Sequence, residues 1–259
     1  MSLLIWIVLF CLLGGVLSVL AAALFLVLRE KQRNTLLPHL VSFATGTLLG
    51  AAFLGLLPHA LALAGDSDVH TIPLAVLFGL LGFFILEKLV IWRHCHEDHC
   101  EVHGSEPVDH PDSTGALILI GDGLHNFLDG ILIAGAFLTD IHLGIVTSLA
   151  VVAHEIPQEV GDFAVLLHSG YTRGKAFFFN IISSLTTVFG GVLAWYALQD
   201  LQHILPYILA VAASSFIYIA VADLIPTLHQ RIEGRAAIHQ VALIGIGVLL
   251  IYAAHSTLH

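Results

Sequence analysis

Eight apolar runs of membrane-spanning length occupy most of this 259-residue chain. Because a bilayer offers the backbone no hydrogen-bond partners, such segments of about 20 residues cross it as α-helices. The sequence therefore predicts an all-α, polytopic membrane protein, with eight transmembrane helices forming a single domain over residues 1–259. The predicted spans are 3–28, 39–64, 72–92, 115–138, 142–167, 175–198, 204–228 and 237–255.

The composition excludes a soluble domain and a nucleic-acid partner. Only 11% of the residues are charged and 58% are hydrophobic, whereas soluble domains have about 25% charged residues. No stripe of basic residues exists that could follow a phosphate backbone. The expected surroundings are therefore a lipid bilayer.

The basic residues give the orientation. The predicted loops 65–71, 139–142 and 199–203 contain no Lys or Arg, and all nine basic residues fall at the opposite side. By the positive-inside rule that side is cytoplasmic, so both termini are expected to be extracytoplasmic. We expect a multi-pass protein of the bacterial cytoplasmic (inner) membrane. The nine residues are Arg29, Lys31, Arg33, Lys88, Arg93, Arg173, Lys175, Arg231 and Arg235.

The longest predicted loop, 93–113, is rich in histidine and cysteine and is expected in the cytoplasm. Such side chains favour transition-metal binding, but their irregular spacing defines no preformed four-ligand site. A solvated linker is the alternative, and metal buffering, sensing and release all remain open as roles. The candidate loop ligands are His94, Cys95, His96, His99, Cys100 and His103.

Two polar segments interrupt the fourth and fifth predicted helices, GDGLHNFLDG at 121–130 and HEIPQEVGDF at 154–163. A charge at the bilayer centre costs about 2.5–3.5 kcal/mol on insertion scales, so these residues need a compensating function. A single polar residue often only links helices, but several imidazoles and carboxylates together indicate a divalent metal ion. The candidate ligands are His125, Asn126, Asp129, His154, Glu155, Gln158 and Glu159.

Helical spacing supports one common site for these ligands. His125 and Asp129 are four residues apart and share a helix face, as do Glu155 and Glu159. Imidazole and carboxylate ligands suit Zn²⁺, Fe²⁺ or Mn²⁺, and the absence of sulfur ligands at this depth argues against Cu(I). Further residues are candidates for the ion path or, alternatively, for internal hydrogen bonds: Asp122, Asp162, Asn180, His59 and Asp223.

Weak internal symmetry is also present. Pro58 lies late in the second predicted helix and Pro226 lies late in the seventh, which runs in the opposite direction. An inverted repeat would place two prolines in this way. Two ordinary kinks near helix ends are the alternative.

The two polar segments resemble the fourth- and fifth-helix signatures of the ZIP (Zrt-, Irt-like) metal-ion transporters, in the branch whose fifth helix usually reads HExPHExGDF. The resemblance implies uptake of zinc, and often iron, manganese or cadmium, into the cytoplasm by a homodimer. It also implies a binuclear site between helices four and five, with no cofactor besides the transported ion. The matching positions are His125, Asn126 and Asp129, followed by His154, Glu155 and Gln158, with Glu159 beside them. Gln158 stands where this branch usually has histidine.

Three other functions compete with metal uptake. A metal exporter or a metal sensor would use the same ligands, because sequence alone does not fix the direction of transport. A membrane protease is a remote alternative, since HEIPQ is similar to the HExxH zinc motif. The second histidine of that motif is missing here, and Pro157 lies between the ligand positions.

Overall fold

The computed structural model describes residues 2–65, 70–97, 111–198, 200–229 and 234–258, and every regular element within these ranges is helical. This confirms the predicted all-α fold. The α-helices are α1 Leu3–Gly14, α2 Val16–Val27, α3 Glu30–Gly50, α4 Leu57–Ala64, α5 Thr71–Glu97, α6 Pro111–Thr139, α7 Ile141–His168, α8 Arg173–Leu198, α9 Leu205–Tyr218, α10 Ile225–His229 and α11 Gly234–Leu258. Two π-helical segments, Ala51–Leu56 and Ile219–Leu224, and a 3₁₀ turn at Gln202–Ile204 complete the described elements.

These elements combine into eight spans. The α1–α2 pair forms the first, α3 to α4 the second and α9 to α10 the seventh, while α5, α6, α7, α8 and α11 each form one. Within the described ranges, seven spans are both long and apolar enough to cross a membrane. The eighth, α7, is 28 residues long but contains Glu155, Glu159 and Asp162, which lower its hydropathy. The multi-pass membrane fold is thus confirmed. The span that hydropathy alone does not detect is α7, one of the two helices that carry the candidate metal ligands.

Several helices are longer than predicted, and the extension is clear in the second and third spans. The second span begins at Glu30 rather than near residue 39, and α5 continues to Glu97 rather than ending near 92. The start of α3 is fixed by the Arg29 backbone N–H, which donates to Oε1 of Gln32 at 3.2 Å. A helix satisfies its own backbone hydrogen bonds, so it can continue past the apolar run that the sequence pattern detects.

The two prolines of the suspected repeat have the same local structure. Pro58 and Pro226 each occupy the second position of the α-helix that follows a six-residue π-helical segment. Proline has no N–H and displaces the carbonyl four residues earlier, and π-helical hydrogen bonding accommodates this disruption. The matched arrangement supports the inverted repeat, which stays a prediction.

Close backbone contact joins α6 to α8. A Cβ atom at Gly130 would collide with the carbonyl oxygen of Thr187, and one at Gly190 with the carbonyl oxygen of Phe127. Small residues of this kind let membrane helices approach closely. The Thr186 hydroxyl then donates to the carbonyl oxygen of Gly123 at 2.6 Å. This packing fixes α6 in depth and rotation.

Two apolar clusters lie above and below a polar layer. One cluster includes Leu143, Val146 and Ala150 in the first half of α7. The other includes Val160, Phe163 and Leu166 toward the end of α7. We call the end of the bundle where α3 and α8 begin and α7 terminates the basic end, because Arg29, Arg173 and their basic neighbours lie there.

Candidate metal site

The helix α7 is anchored at its start by a side-chain cap. Asp140 Oδ1 accepts hydrogen bonds from the backbone N–H groups of His142 at 2.8 Å and Leu143 at 3.0 Å. This satisfies two of the N–H groups that a helix start leaves free. Since α6 ends at Thr139, the cap also makes a tight antiparallel turn. The turn sets the register between the polar segments of α6 and α7.

Four side chains meet at mid-depth of the α6–α7 interface, and we call them the histidine cluster: His125, Asp129, His154 and Glu155. His125 Nε2 lies 3.3 Å from His154 Nε2 and 3.3 Å from Glu155 Oε1. His154 Nε2 lies 3.3 Å from Asp129 Oδ2 and 3.6 Å from Glu155 Oε1. The remaining imidazole–carboxylate distance, from His125 Nε2 to Asp129 Oδ2, is 3.9 Å.

These separations match the edges of a metal coordination polyhedron. In a tetrahedral zinc site with bonds of about 2.0–2.1 Å, neighbouring ligand atoms lie about 3.3–3.4 Å apart. The histidine cluster supplies two nitrogens and two oxygens at 3.3–3.9 Å along the measured edges. Its geometry therefore fits a Zn²⁺-sized ion with little rearrangement.

The tautomer of His154 suits metal binding. Its Nδ1 lies 3.0 Å from the carbonyl oxygen of Ala150. A carbonyl only accepts, so Nδ1 carries the proton and, in the neutral ring, Nε2 presents its lone pair to the cluster. Backbone bonds of this kind commonly orient metal-binding imidazoles.

In the described part of the chain, the polar groups measured next to the cluster's carboxylates are imidazole nitrogens at 3.3–3.9 Å. Both oxygens of Asp129 and both oxygens of Glu155 are buried without a hydrogen-bond partner. Within the described ranges, the ion pairs that these side chains form are with histidine and not with Lys or Arg. Buried acceptors that face one another are costly unless a cation joins them.

A second group of acids lies about one helical turn nearer the basic end, and we call it the carboxylate cluster: Asp122, Glu159 and Asp162. One carboxylate oxygen from each lies within 4.8 Å of the others. The sequence placed Glu159 beside the histidine ligands, but the structure groups it with Asp122 and Asp162. Glu155 and Glu159 share a face of α7, and one turn of about 5.4 Å separates their levels.

Asn126 hydrogen-bonds both to the carboxylate cluster and to α8. Its Nδ2 donates to Asp122 Oδ1 at 2.7 Å, and its Oδ1 accepts from the Thr187 hydroxyl at 2.7 Å. Helical periodicity gives the face of α8 on which Thr187 lies, while the close α6–α8 packing decides that its hydroxyl reaches Asn126.

A cavity of about 540 Å³ extends from the histidine cluster toward the basic end. His125, Gln158 and Asp223 line it, together with Pro38 near the start of α3 and Thr227 in α10. The structure thus places Gln158 and Asp223 on a wall next to the cluster. On the other side of the cluster, the bundle is filled by buried side chains such as Phe137 and Leu143.

Two candidates lie away from both clusters. His59 Nδ1 contacts the carbonyl oxygen of Gly55 at 2.8 Å, and its ring meets that of His255 at a centroid distance of 5.5 Å. Asn180 is fully buried in α8, and neither its amide nitrogen nor its oxygen has a hydrogen-bond partner among the described residues. In the described part of the chain, His59 belongs to neither of the two clusters of His, Asp and Glu side chains.

The predicted loop ligands are not part of the described site. His94, Cys95 and His96 lie in the last turns of α5, but their side chains are outside the described part. His99, Cys100 and His103 lie outside the described residues altogether.

A known family matches almost the whole chain. The family model described as "ZIP Zinc transporter" matches residues 1–115 and 93–254. The matched ranges contain both polar segments and both clusters.

Individual relatives are named as zinc transporters. Zinc transporter ZIP13 of Danio rerio is 33% identical over 82% of this chain and 75% of its own length. ZIP13 of Pongo abelii is 31% identical over 92% of this chain and 73% of its own length. Zinc transporter ZIP10 of Danio rerio is 37% identical over 53% of this chain, which spans only 17% of that relative. These relatives are animal proteins and give no support to the expected bacterial inner membrane.

Proposed function

Because the chain belongs to the ZIP family of zinc transporters, we propose that it carries zinc across a membrane into the cytoplasm through the histidine cluster. One observation supports this most directly: two imidazole nitrogens and two carboxylate oxygens converge in a buried site with the spacing of a zinc coordination sphere. The family consists of transporters and not of enzymes, so the protease alternative is excluded.

Around this cluster we propose a binuclear-type centre between α6 and α7. His125, Asp129, His154 and Glu155 would hold the first ion. Further ligands would come from Asn126 and Gln158, which lie within about one turn of the cluster along α6 and α7, whereas Glu159 lies with Asp122 and Asp162. Fe²⁺, Mn²⁺ and Cd²⁺ are further proposed substrates, since mixed nitrogen and oxygen sites accept several divalent metals.

The cavity supports transport toward the cytoplasm. It extends from His125 and Gln158 toward the basic end, and the positive-inside rule puts that end in the cytoplasm. Buried side chains such as Phe137 and Leu143 fill the opposite side. An ion released from this conformation would therefore leave on the cytoplasmic side, with both termini of the chain outside.

The proposed function also includes a dimeric assembly and a role for the 93–113 segment. We propose a homodimer of a single 1–259 domain, and a cytoplasmic metal-binding role for the histidine and cysteine side chains between α5 and α6. An exporter or a sensor would use the same cluster. An exporter would lower the metal content of the cell, and a sensor would leave it unchanged.

Zinc accumulation by cells that express the chain tests the proposal. We expect faster uptake of labelled zinc than in control cells, and loss of that gain with Asp129→Ala and Glu155→Ala. The matched control is Asp200→Ala, which removes an exposed acid between α8 and α9. Lower zinc content would indicate an exporter, and unchanged zinc content despite correct membrane insertion would indicate a sensor. Full uptake by both cluster variants would refute the proposed site.

A further inference from the structure

The carboxylate cluster brings three acidic side chains together inside the bundle. Asp122 and Glu159 are buried, with Glu159 fully inaccessible to solvent. Both carboxylate oxygens of Glu159, and Oδ2 of Asp122 and of Asp162, have no hydrogen-bond partner among the described residues. Within the same ranges, none of the three forms an ion pair with Lys or Arg. Three carboxylates this close cannot all stay ionised unless a positive charge joins them.

The spacing of the three acids suits a shared cation. One oxygen from each lies within 4.8 Å of the others. Oxygens bound on opposite sides of one Mg²⁺- or Ca²⁺-sized ion lie about 4–5 Å apart. The set contains no nitrogen or sulfur, so it favours hard divalent ions such as Mn²⁺, with water completing the coordination sphere.

One of the acids is held in place by the α6–α8 contact. Asn126 donates to Asp122 Oδ1 at 2.7 Å and is itself fixed by the Thr187 hydroxyl at 2.7 Å. The hydrogen bond to Oδ1 leaves the second oxygen, Oδ2, without a partner. A carboxylate oriented in this way is a preorganised ligand, because its rotation is already restricted before an ion arrives.

The position of the cluster relates it to the transported ion. Asp122 precedes His125 by three residues on α6, and Glu159 follows Glu155 by four on α7. At 1.5 Å rise per residue, the carboxylate cluster lies about 4.5–6 Å nearer the basic end than the histidine cluster. A site with oxygen ligands holds Zn²⁺ less tightly than one with imidazoles, so an ion stepping between the two would be easier to release.

We propose that Asp122, Glu159 and Asp162 form a second, oxygen-only divalent-cation site that receives the ion from the histidine cluster before release. This site is separate from the binuclear-type centre between His125 and Gln158. The relay role rests on the proposed transport function, whereas the binding of a second cation can be measured without transport.

Equilibrium dialysis of the purified full-length protein in detergent against Mn²⁺ tests the site. We expect Glu159→Gln and Asp162→Asn each to bind one Mn²⁺ fewer than the unaltered protein, or to bind it at least about tenfold more weakly. The matched control Glu30→Gln neutralises an exposed acid in the first turn of α3 and should bind as the unaltered protein does. Unchanged Mn²⁺ stoichiometry and affinity in both cluster variants would overturn the proposal and indicate that the acids hold protons.

The visible absorption spectrum of bound Co²⁺ distinguishes the histidine cluster from the carboxylate cluster. Co²⁺ in a tetrahedral site with two imidazoles absorbs strongly in the visible range, and Co²⁺ in a six-coordinate oxygen site absorbs weakly. We expect Glu159→Gln to retain the strong band and His154→Ala to lose it while keeping the oxygen-site Mn²⁺. Loss of Mn²⁺ binding in His154→Ala as well would overturn an independent second site. Absence of the strong band from the unaltered protein would instead contradict the proposed histidine site.

Discussion

His125 and His154 direct their Nε2 atoms at each other across the α6–α7 interface, 3.3 Å apart, with ring planes at 80°. The Nδ1–H of His154 is committed to Ala150, so a neutral His154 presents a lone pair to its partner. Asp129 and Glu155 add two more acceptors and no donor. The two imidazole nitrogens and the two carboxylate oxygens all present lone pairs, so a cation bound between them would stabilise this arrangement.

Removal of either imidazole should therefore weaken zinc binding. We expect His125→Ala and His154→Ala to lower zinc affinity at least about 100-fold, because loss of a direct ligand exceeds the 10- to 100-fold effect of supporting residues. His168→Ala is the matched control, since His168 also lies on α7 and its Nδ1 contacts the carbonyl four residues earlier at 2.8 Å, but it is exposed. Calorimetric titration with zinc gives the affinities. Equal losses in all three variants would point to general destabilisation.

Acidification should weaken zinc binding, because protons compete for the imidazole nitrogens. An ordinary imidazole has a pKa of about 6.5, so below that pH two protons must leave before both rings can bind. We expect the logarithm of zinc affinity to fall by about two per pH unit in this range, and by about one in His154→Ala. Zinc affinity measured by competition with a chelator across pH 5–8 gives the slope. A flat profile would exclude imidazole ligands.

Gln158→His should shift the metal preference toward zinc. Gln158 lines the cavity next to His125, where an imidazole would add a nitrogen ligand. Nitrogen donors favour Zn²⁺ over Mn²⁺. We expect a higher zinc-to-manganese affinity ratio in competition binding, with slower zinc turnover. Gln158→Asn keeps the amide and serves as the control. An unchanged ratio in Gln158→His would assign this position to packing.

Gly130→Ala should destabilise the protein and disturb the depth of α6. The added methyl group would meet the backbone of Thr187 and Gly191, which cannot move aside as a flexible side chain could. Overpacking of this kind costs about 1–3 kcal/mol. Gly245→Ala is the control, because a Cβ there meets no atom within 4 Å. Thermal unfolding in detergent compares the two variants, and equal melting temperatures would contradict the close α6–α8 contact.

The orientation can be checked with single cysteines in a background lacking Cys11, Cys95 and Cys100. Both Asp200 and Glu30 are exposed, at opposite ends of the bundle. We expect an impermeant maleimide to label Asp200→Cys in intact cells and Glu30→Cys only after permeabilisation. The reverse pattern would invert the predicted topology and, with it, the proposed direction of transport.

The sequence predicted the helical membrane fold because apolar runs alone determine it. Spacing also predicted which faces carry polar groups, and the structure brings His125, Asp129, His154 and Glu155 together. The separation of Glu155 from Glu159 into different clusters could not be predicted in the same way. It depends on the relative depth of α6 and α7, which the Asp140 cap and the Gly130 contact set through long-range packing.

The role of Asn126 shows a second limit. Its position in the motif predicts a metal ligand, and the structure adds hydrogen bonds from its amide to Asp122 and Thr187, which the motif does not predict. Motif spacing within α6 carries no information about a hydroxyl 61 residues later in the chain. Only the approach of α8, permitted by Gly130 and Gly190, makes that contact possible.

The two π-helical segments are places where the chain can lose one residue without turning the rest of the span. A π-helical turn encloses one residue more than an α-helical turn. Deleting one residue within Ala51–Leu56 would therefore let an uninterrupted α-helix form, and His59 would stay directed at His255. A deletion within Ile219–Leu224 would likewise leave Thr227 at the cavity. In a regular α-helix such as α6, the loss of one residue rotates every later side chain by about 100°. Single-residue deletions should therefore be tolerated better in the two π-helical segments than within α6.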